Sequence, residues 1–360
     1  MRSTSANLQQ SPTFVIGSRH VGVDQPPLVL AEVGINHEGS LEKALQLVDA
    51  AALAGAEVVK FQCHITEKEM VPTDMTPGAI SSEKLWDIIK RCELTALQER
   101  DVQAYCEKRG IMYLSTPFSR EAADRLDEMG VPAFKIGSGE CNNVPLLQHV
   151  ASKGKPMILS TGMNDLSSVE RSVAAIKAVG VPLALMHCTS MYPTPYENVR
   201  LGAITELRER FPQMPVGLSD HSLNIWTCLG AVALGASILE KHFTISRSWP
   251  GPDTGISIEP DELHDLIDGA RAIWQARGGG KTRLREEQPV IDFAYATVVT
   301  IAPIKEGDVF SAQNTWVKRP GTGKILAASL DDVIGKKATR DIPPDVHVQP
   351  EDVDGYTGRA

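Results

Sequence analysis

The sequence predicts an α/β chain organised as a (β/α)₈ TIM barrel followed by a small β-rich module. Three observations carry that prediction. Eight apolar runs of strand length recur between residues 28 and 244, amphipathic segments separate them and mostly close on a glycine, and the texture changes to short β-like pieces after a glycine-rich stretch near residue 278. Continuous apolar strands alternating with helices imply a parallel sheet buried on both faces, and eight units is the number that closes a barrel. An open doubly wound sheet is the alternative these observations leave.

The runs are LVLAEVG (28–34), AEVVKFQ (56–62), MYLSTP (112–117), AFKIGSG (133–139), PMILSTG (156–162), LALMHCTS (183–190), VGLSDHS (216–222) and SILEKHFT (237–244). Between them, LEKALQLVDAAALAG, SREAADRLDEMG and SSVERSVAAIKAVG carry the helical period, and Ser167 with Glu170 reads as a capping box opening the last. Residues 1–26 form a polar leader and a hairpin, FVIGSRHVG, expected to plug the bottom of the barrel. The barrel is assigned to 27–277. After its second strand comes an extra TEKEMVPTDMTPGAISSEKLWDIIKRCEL, either a lid over the site or an inert excursion. Residues 278–292 read as a linker and 293–355 as a β-rich module whose small core needs something to pack on.

Composition narrows the function. A net charge of -9 without a long Lys/Arg block argues against nucleic acid or an anionic membrane as the main partner. Six cysteines with no CxxC pair point to buried free thiols in a reducing compartment. With no apolar core in the first residues and no run of about 18 apolar residues, a soluble cytoplasmic protein is expected.

The strand tips carry the chemistry. Val216 to Thr244 reads as one βαβ unit with His221 and His242 at its two tips, on the same side of the sheet. The two imidazoles either share a metal ion or stand as hydrogen-bonded histidines at the edge of a core. Other tips carry Glu32, Asn36 and His37; Lys60 and Gln62; Ser115 and Thr116; Lys135, Ser138 and Glu140; Ser160 and Thr161; His187, Thr189 and Ser190; Ser219 and Asp220; Glu240 and Lys241. In a barrel these side chains are expected to converge on the C-terminal mouth. Lys60, Lys135 and Glu240 lie inside otherwise hydrophobic runs, where desolvation requires a partner. Two lysines with the hydroxyls of Thr116, Ser138, Ser160, Ser190 and Ser219 suit a phosphate and a carboxylate. Two histidines with no cysteine beside them leave coordination positions open, which favours an exchangeable divalent ion over a closed structural zinc. Glu32 is a candidate acid or base.

The motifs AEVGINHEGS, KFQCHI, STPFSR, KIGSGECNN, ILSTGM, HCTSMYPTPYENVRL, GLSDHS, LEKHFT and PGPD, with WVKRPGTG in the tail, resemble the sialic acid synthase family of N-acetylneuraminate synthases, from about Phe14 to Val353. The resemblance implies a barrel with a C-terminal antifreeze-like (SAF) domain and a domain-swapped homodimer. It also implies condensation of phosphoenolpyruvate with an N-acetylmannosamine-type sugar, assisted by Mn²⁺ or a similar ion such as Mg²⁺ or Co²⁺. By motif it assigns His221 and His242 to the metal and makes Glu32 the catalytic carboxylate. Lys60, Thr116, Lys135, Ser138, Ser160, Ser190 and Ser219 fall to phosphoenolpyruvate. Gln62, Glu140, Tyr192, Asp253 and Phe293 fall to the sugar, with Arg319 reaching it from the partner's tail. The sequence departs from the family pattern at Ser190, where bacterial members carry Asn, at Phe61 and Cys63, and at Ala79. A synthase for a legionaminic- or pseudaminic-type acid and a non-catalytic sugar-binding barrel are the competing readings.

Overall fold

The structure is a computed structural model describing residues 13–78 and 81–358; the polar leader and Ala79 lie outside the described residues. The chain divides into two compact units, Met1–Gly278 and Gly279–Ala360.

Each of the eight apolar runs forms one strand of the first unit. They are β1 Leu28–Gly34, β2 Val58–Cys63, β3 Met112–Pro117, β4 Phe134–Ile136, β5 Met157–Ser160, β6 Leu183–Cys188, β7 Val216–Asp220 and β8 Ile238–His242. The sheet runs β3-β2-β1-β8-β7-β6-β5-β4 with parallel pairing throughout. Its two end strands, β3 and β4, lie side by side and close the sheet into the expected barrel. Register places Glu32 level with both Lys60 of β2 and His242 of β8.

Helices follow the strands as α1 Leu41–Leu53, α2 Ala96–Arg109, α3 Arg120–Glu128, α4 Val144–Ala151, α5 Leu166–Lys177, α6 Gly202–Arg210, α7 Trp226–Ala233 and α8 Pro260–Ala276. Their starts are set by side-chain acceptors: Ser40 caps α1, Thr95 and Gln98 form a capping box on α2, and Ser119 caps α3. The capping box expected at Ser167 does not form. Helix α5 starts earlier, capped by Asp165, whose carboxylate accepts from the Ser168 N–H at 2.8 Å and from the Ser167 hydroxyl at 2.9 Å. A charged acceptor two residues upstream outcompetes the serine, and Glu170 pairs instead with Arg210 at 2.5 Å.

Strand alternation sorts the barrel into two cores. Val29, Ala31, Val33, Val59, Phe61, Leu185, Leu218 and Leu239 face outward and pack under the helices. Leu28, Leu30, Val58, Leu114, Ile158, Ala184, Met186 and Ile238 face inward and fill the lower barrel. Phe14, Ile16 and Val21 of the hairpin Thr13–Ile16/Arg19–Gly22 join that inner cluster and plug the N-terminal end, as expected. The stretch after β2 contains short helices Thr66–Glu69 and Leu85–Cys92. Its Ile88, Ile89 and Cys92 bury against Ile35 in the loop after β1, and Arg91 meets Glu38 at 3.0 Å.

The second unit pairs Thr297–Thr300 with Thr315–Lys318 antiparallel, around a core that includes Val298, Ile304, Phe310, Ile325, Val333 and Val348. A helix, Gln288–Ala294, occupies the end of the stretch expected as linker.

Candidate active site

Above the apolar lower barrel, the same inward-facing positions turn polar. Glu32, Lys60, Gln62, Thr116, Lys135, Ser160, Cys188, Ser219, Glu240 and His242 all line a cavity of about 320 Å³ at the strands' C-terminal ends. Ser138, Ser190, Tyr192 and His221 complete its wall from the loops, beside Phe118 and Met163.

At the floor lies a network of buried charges. Lys60 Nζ stands 2.7 Å from Glu32 Oε2 and 3.9 Å from Glu240 Oε2, and Lys135 Nζ stands 3.3 Å from Glu240 Oε1. All four side chains are almost fully buried. Lys60 donates to Thr116 Oγ1 at 3.0 Å, Lys135 to Ser160 Oγ at 2.8 Å, and Ser219 Oγ to Glu240 Oε1 at 2.9 Å. Burial pushes the Glu32 carboxyl up to about 7 against the pull of Lys60. Burial also acts upward on Glu240, but Lys135 and Lys60 outweigh it and hold that carboxyl down at about 2. The two carboxylates thus differ in kind. Glu240 is a permanent counter-ion, while Glu32 is poised to exchange a proton near neutrality.

The hydroxyls converge because Gly162 leaves them room. Its N–H donates to Ser138 Oγ at 3.0 Å, and a Cβ there would sit 2.5 Å from Ser190 Oγ and 2.8 Å from Ser138 Oγ. A side chain at this position would fill the space into which these hydroxyls converge.

His221 and His242 face one another with ring centroids 5.3 Å apart, and Tyr192 lies against His221 at 4.2 Å. His221 Nδ1 lies 3.0 Å from the Thr189 carbonyl, which makes Nδ1 the donor; burial pushes this imidazole down, but Cys188 and that hydrogen bond outweigh it and raise it. Burial drives His242 well below its ordinary value, so this ring is neutral, and its buried Nδ1 has no hydrogen-bond partner. Asp253 Oδ2 stands 3.7 Å from that nitrogen. Among the described residues no three His, Cys, Asp or Glu side chains are grouped closely enough to enclose a metal. Two imidazoles, with His221 in its neutral form, fit an exchangeable divalent ion completed by water or substrate, and they do not fit a closed structural site. One expectation changes: Cys188 Sγ lies 3.8 Å from His221 Nδ1, so a cysteine does stand beside the pair, brought there from β6.

The structure does not bring every expected residue to the cavity. Glu140 is half-buried and accepts from Asn143 Nδ2 at 2.5 Å, outside the cavity lining. Asp253 reaches the site through its approach to His242. Phe293 and Arg319 are exposed on the second unit. Several tips expected at the mouth point the other way. His187 donates to the Val199 carbonyl at 2.6 Å, Thr161 Oγ1 donates to the Met186 carbonyl at 2.9 Å, and Lys241 pairs with Asp220 at 2.5 Å under Thr227 of α7. They occupy the opposite parity on their strands, so the pleat turns them toward the helices. Conversely, the buried His64 and Glu69 carry no expected role, although His64 continues the inward series Lys60, Gln62.

Fold and site together define a (β/α)₈ barrel with a polar cavity at its C-terminal mouth, lined by two buried lysines, two buried carboxylates and a histidine pair. The chain belongs to the NeuB family, which matches residues 47–282, and residues 295–354 match the SAF domain. It is 38% identical over 328 residues to N,N'-diacetyllegionaminic acid synthase of Campylobacter jejuni, covering 88% of this chain and 97% of that one. It is 31% identical to N-acetylneuraminate-9-phosphate synthase of Homo sapiens, covering 94% and 96%. The crystal structure of N-acetylneuraminic acid synthetase from Leptospira borgpetersenii in complex with citrate superposes with a TM-score of 0.72 at 34% identity, covering 78% of this chain and 95% of that one.

Proposed function

We propose that the protein is a phosphoenolpyruvate-dependent nonulosonic acid synthase that condenses phosphoenolpyruvate with N-acetylmannosamine to give N-acetylneuraminate and phosphate. The observation that carries this reading is the single cavity in which two buried lysines and a set of hydroxyls adjoin a proton-exchanging carboxylate and a histidine pair.

Lys60, Lys135, Thr116, Ser138, Ser160, Ser190 and Ser219 hold the phosphate and carboxylate of phosphoenolpyruvate by charge and hydrogen bonds. Gln62, Tyr192 and Asp253, with Glu140, orient the sugar. His221 and His242 would hold a divalent ion, Mn²⁺ or a similar one, which when bound would supply Lewis-acid polarisation of the sugar aldehyde. The C2=C3 π pair of phosphoenolpyruvate forms the new C–C bond to the aldehyde carbon, the aldehyde C=O π pair moves to its oxygen, which takes up a proton to become a hydroxyl, and positive charge develops at C2. Glu32 as carboxylate stabilises that charge and takes a proton from the water that adds there. The C2–O bond then breaks, phosphate leaves, and a 2-keto acid remains. Phe293 and Arg319 serve the sugar end from a partner subunit in a domain-swapped homodimer, a role consistent with their exposure. Six free, buried cysteines support a cytoplasmic location.

The 38% identity to a legionaminic acid synthase favours a second reading, in which the acceptor is a diacetamido-trideoxymannose. The experiment is phosphate release on mixing the protein, Mn²⁺ and phosphoenolpyruvate with each sugar, with and without EDTA. Release with N-acetylmannosamine supports the first reading, and release only with the diacetamido sugar supports the second. No release with any aldehyde would leave a sugar-binding barrel.

A further inference from the structure

Behind the histidine pair, on the face of the sheet turned from the cavity, lies a buried ion pair with no part in the proposed chemistry. Asp220 ends β7, Lys241 is the last residue but one of β8, and the two are direct cross-strand partners. Their side chains are 1% and 0% exposed, and Lys241 Nζ stands 2.5 Å from Asp220 Oδ2. Each is followed in the chain by one of the histidines, His221 after Asp220 and His242 after Lys241. Side chains alternate across the pleat, so this ion pair behind the sheet stands one residue from both imidazoles in front of it.

The pair also reaches past His221. Lys241 Nζ donates to the Ser222 carbonyl, and Asp220 accepts from the Ser222 N–H at 3.2 Å and from the Ser222 hydroxyl at 2.9 Å. Thr227, in the first turn of α7, donates to the same carboxylate at 2.8 Å. The residue before His221 and the residue after it are thus both tied to Lys241. The His221 carbonyl accepts from the Thr194 N–H at 2.9 Å, and the His242 carbonyl accepts from the Ile258 N–H at 2.7 Å.

Stability alone does not account for this arrangement. Replacing a buried ion pair by apolar side chains of similar volume is often neutral or stabilising. An apolar pair would fill the space under α7, but it would leave the Ser222 N–H and carbonyl without these partners, and with them the turn that aims His221. Two ligands carried by separate strands form a site only as well defined as the spacing of the strand ends.

We propose that Lys241 and Asp220 are positioning residues that clamp the tips of β7 and β8 from behind, hold the His221 and His242 rings at their 5.3 Å separation, and thereby set the affinity of the pair for a divalent ion. The inference deepens the proposed function, since it rests on the two histidines being the ligand set of that ion.

The test is Mn²⁺ affinity, read by equilibrium dialysis, alongside ¹⁵N NMR of the imidazoles in metal-free protein, with His221→Gln assigning the resonance. The variant carries Asp220→Leu and Lys241→Met together, so that neither charge is left buried alone. It is expected to bind Mn²⁺ at least about tenfold more weakly and to show displaced or broadened His221 ring signals, while melting close to the wild type. KM for phosphoenolpyruvate at saturating Mn²⁺ is expected to stay within about twofold. Glu99→Gln breaks a different buried pair, Glu99 with Arg125 at 3.0 Å, outside the cavity lining. It is expected to lower the melting temperature without moving Mn²⁺ affinity or the His221 signals. Mn²⁺ affinity equal to wild type in the double variant would overturn the proposal. So would an equal loss of affinity in Glu99→Gln, which would reduce the effect to general loosening of the fold. Moved His221 signals in the variant of a protein whose wild type binds no Mn²⁺ would keep the clamp and remove the metal reading instead. If the double variant does not fold, Asp220→Asn, which keeps the shape and removes the charge, is read the same way.

Discussion

Lys135 Nζ stands 3.3 Å from Glu240 Oε1 at the floor of the barrel mouth, both side chains nearly out of reach of solvent. Neither charge is tolerable there without the other. Glu240 carries no assigned contact with either substrate, yet it neutralises the lysines that hold the proposed phosphate.

Replacing Glu240 with Gln should therefore cost about 3–5 kcal/mol of stability, the penalty of leaving a buried charge uncompensated. Inorganic phosphate should raise the melting temperature of this variant more than that of the wild type, because its lysines lack their counter-ion. Thermal denaturation across a phosphate series measures both effects.

Glu32 predicts a pH dependence of stability. Its carboxyl is raised from 4.5 to about 7 in the folded protein, so the stability it contributes is complete below about pH 4.5 and is lost as pH rises through about 7. Glu240, held down at about 2, has the opposite sign: its contribution is present above about pH 4.5 and is lost as pH falls through about 2. Between about pH 5 and 8 the wild type should lose roughly 2–3 kcal/mol relative to Glu32→Gln. Urea unfolding of both proteins across that range gives the difference.

The buried pair Lys241 and Asp220 lies outside the cavity, under α7. Lys241→Met should destabilise the fold by about 3–5 kcal/mol through the unpaired Asp220, yet leave KM for phosphoenolpyruvate within about twofold at permissive temperature. A large rise in KM would place Lys241 in the site after all.

His242→Ala should weaken Mn²⁺ binding by at least about tenfold in equilibrium dialysis, without lowering the melting temperature of metal-free protein, since the ring's Nδ1 makes no hydrogen bond there. Metal affinity equal to wild type would mean that the imidazole pair is not the ligand set.

Much of this was legible in the sequence. Eight apolar runs marked eight strands, with ends shifted by a few residues, because a parallel strand covered on both faces leaves an unbroken apolar signature. Charged residues interrupting those runs marked the mouth, because Lys60, Lys135 and Glu240 have no place in an apolar core unless they meet. The Asp165 cap was missed because a helix start was read from the Ser/Glu spacing while a stronger acceptor stood two residues earlier.

The strand signature that made the barrel readable also hid half of the site. A strand buried on both faces shows no alternation, so the sequence alone could not say which tip residues turn inward. It determined the strands, their number and the polar character of their ends. Tertiary structure decided the parity, sending Glu32, Lys60, Gln62 and Ser219 into the cavity and His187, Asp220 and Lys241 under the helices. It also brought Cys188 to His221, and tied Glu69 through His64 and Gln62 to Glu32. Those pairings arise only when separate strands close into one ring, because a side chain's direction and its neighbours are properties of the closed sheet.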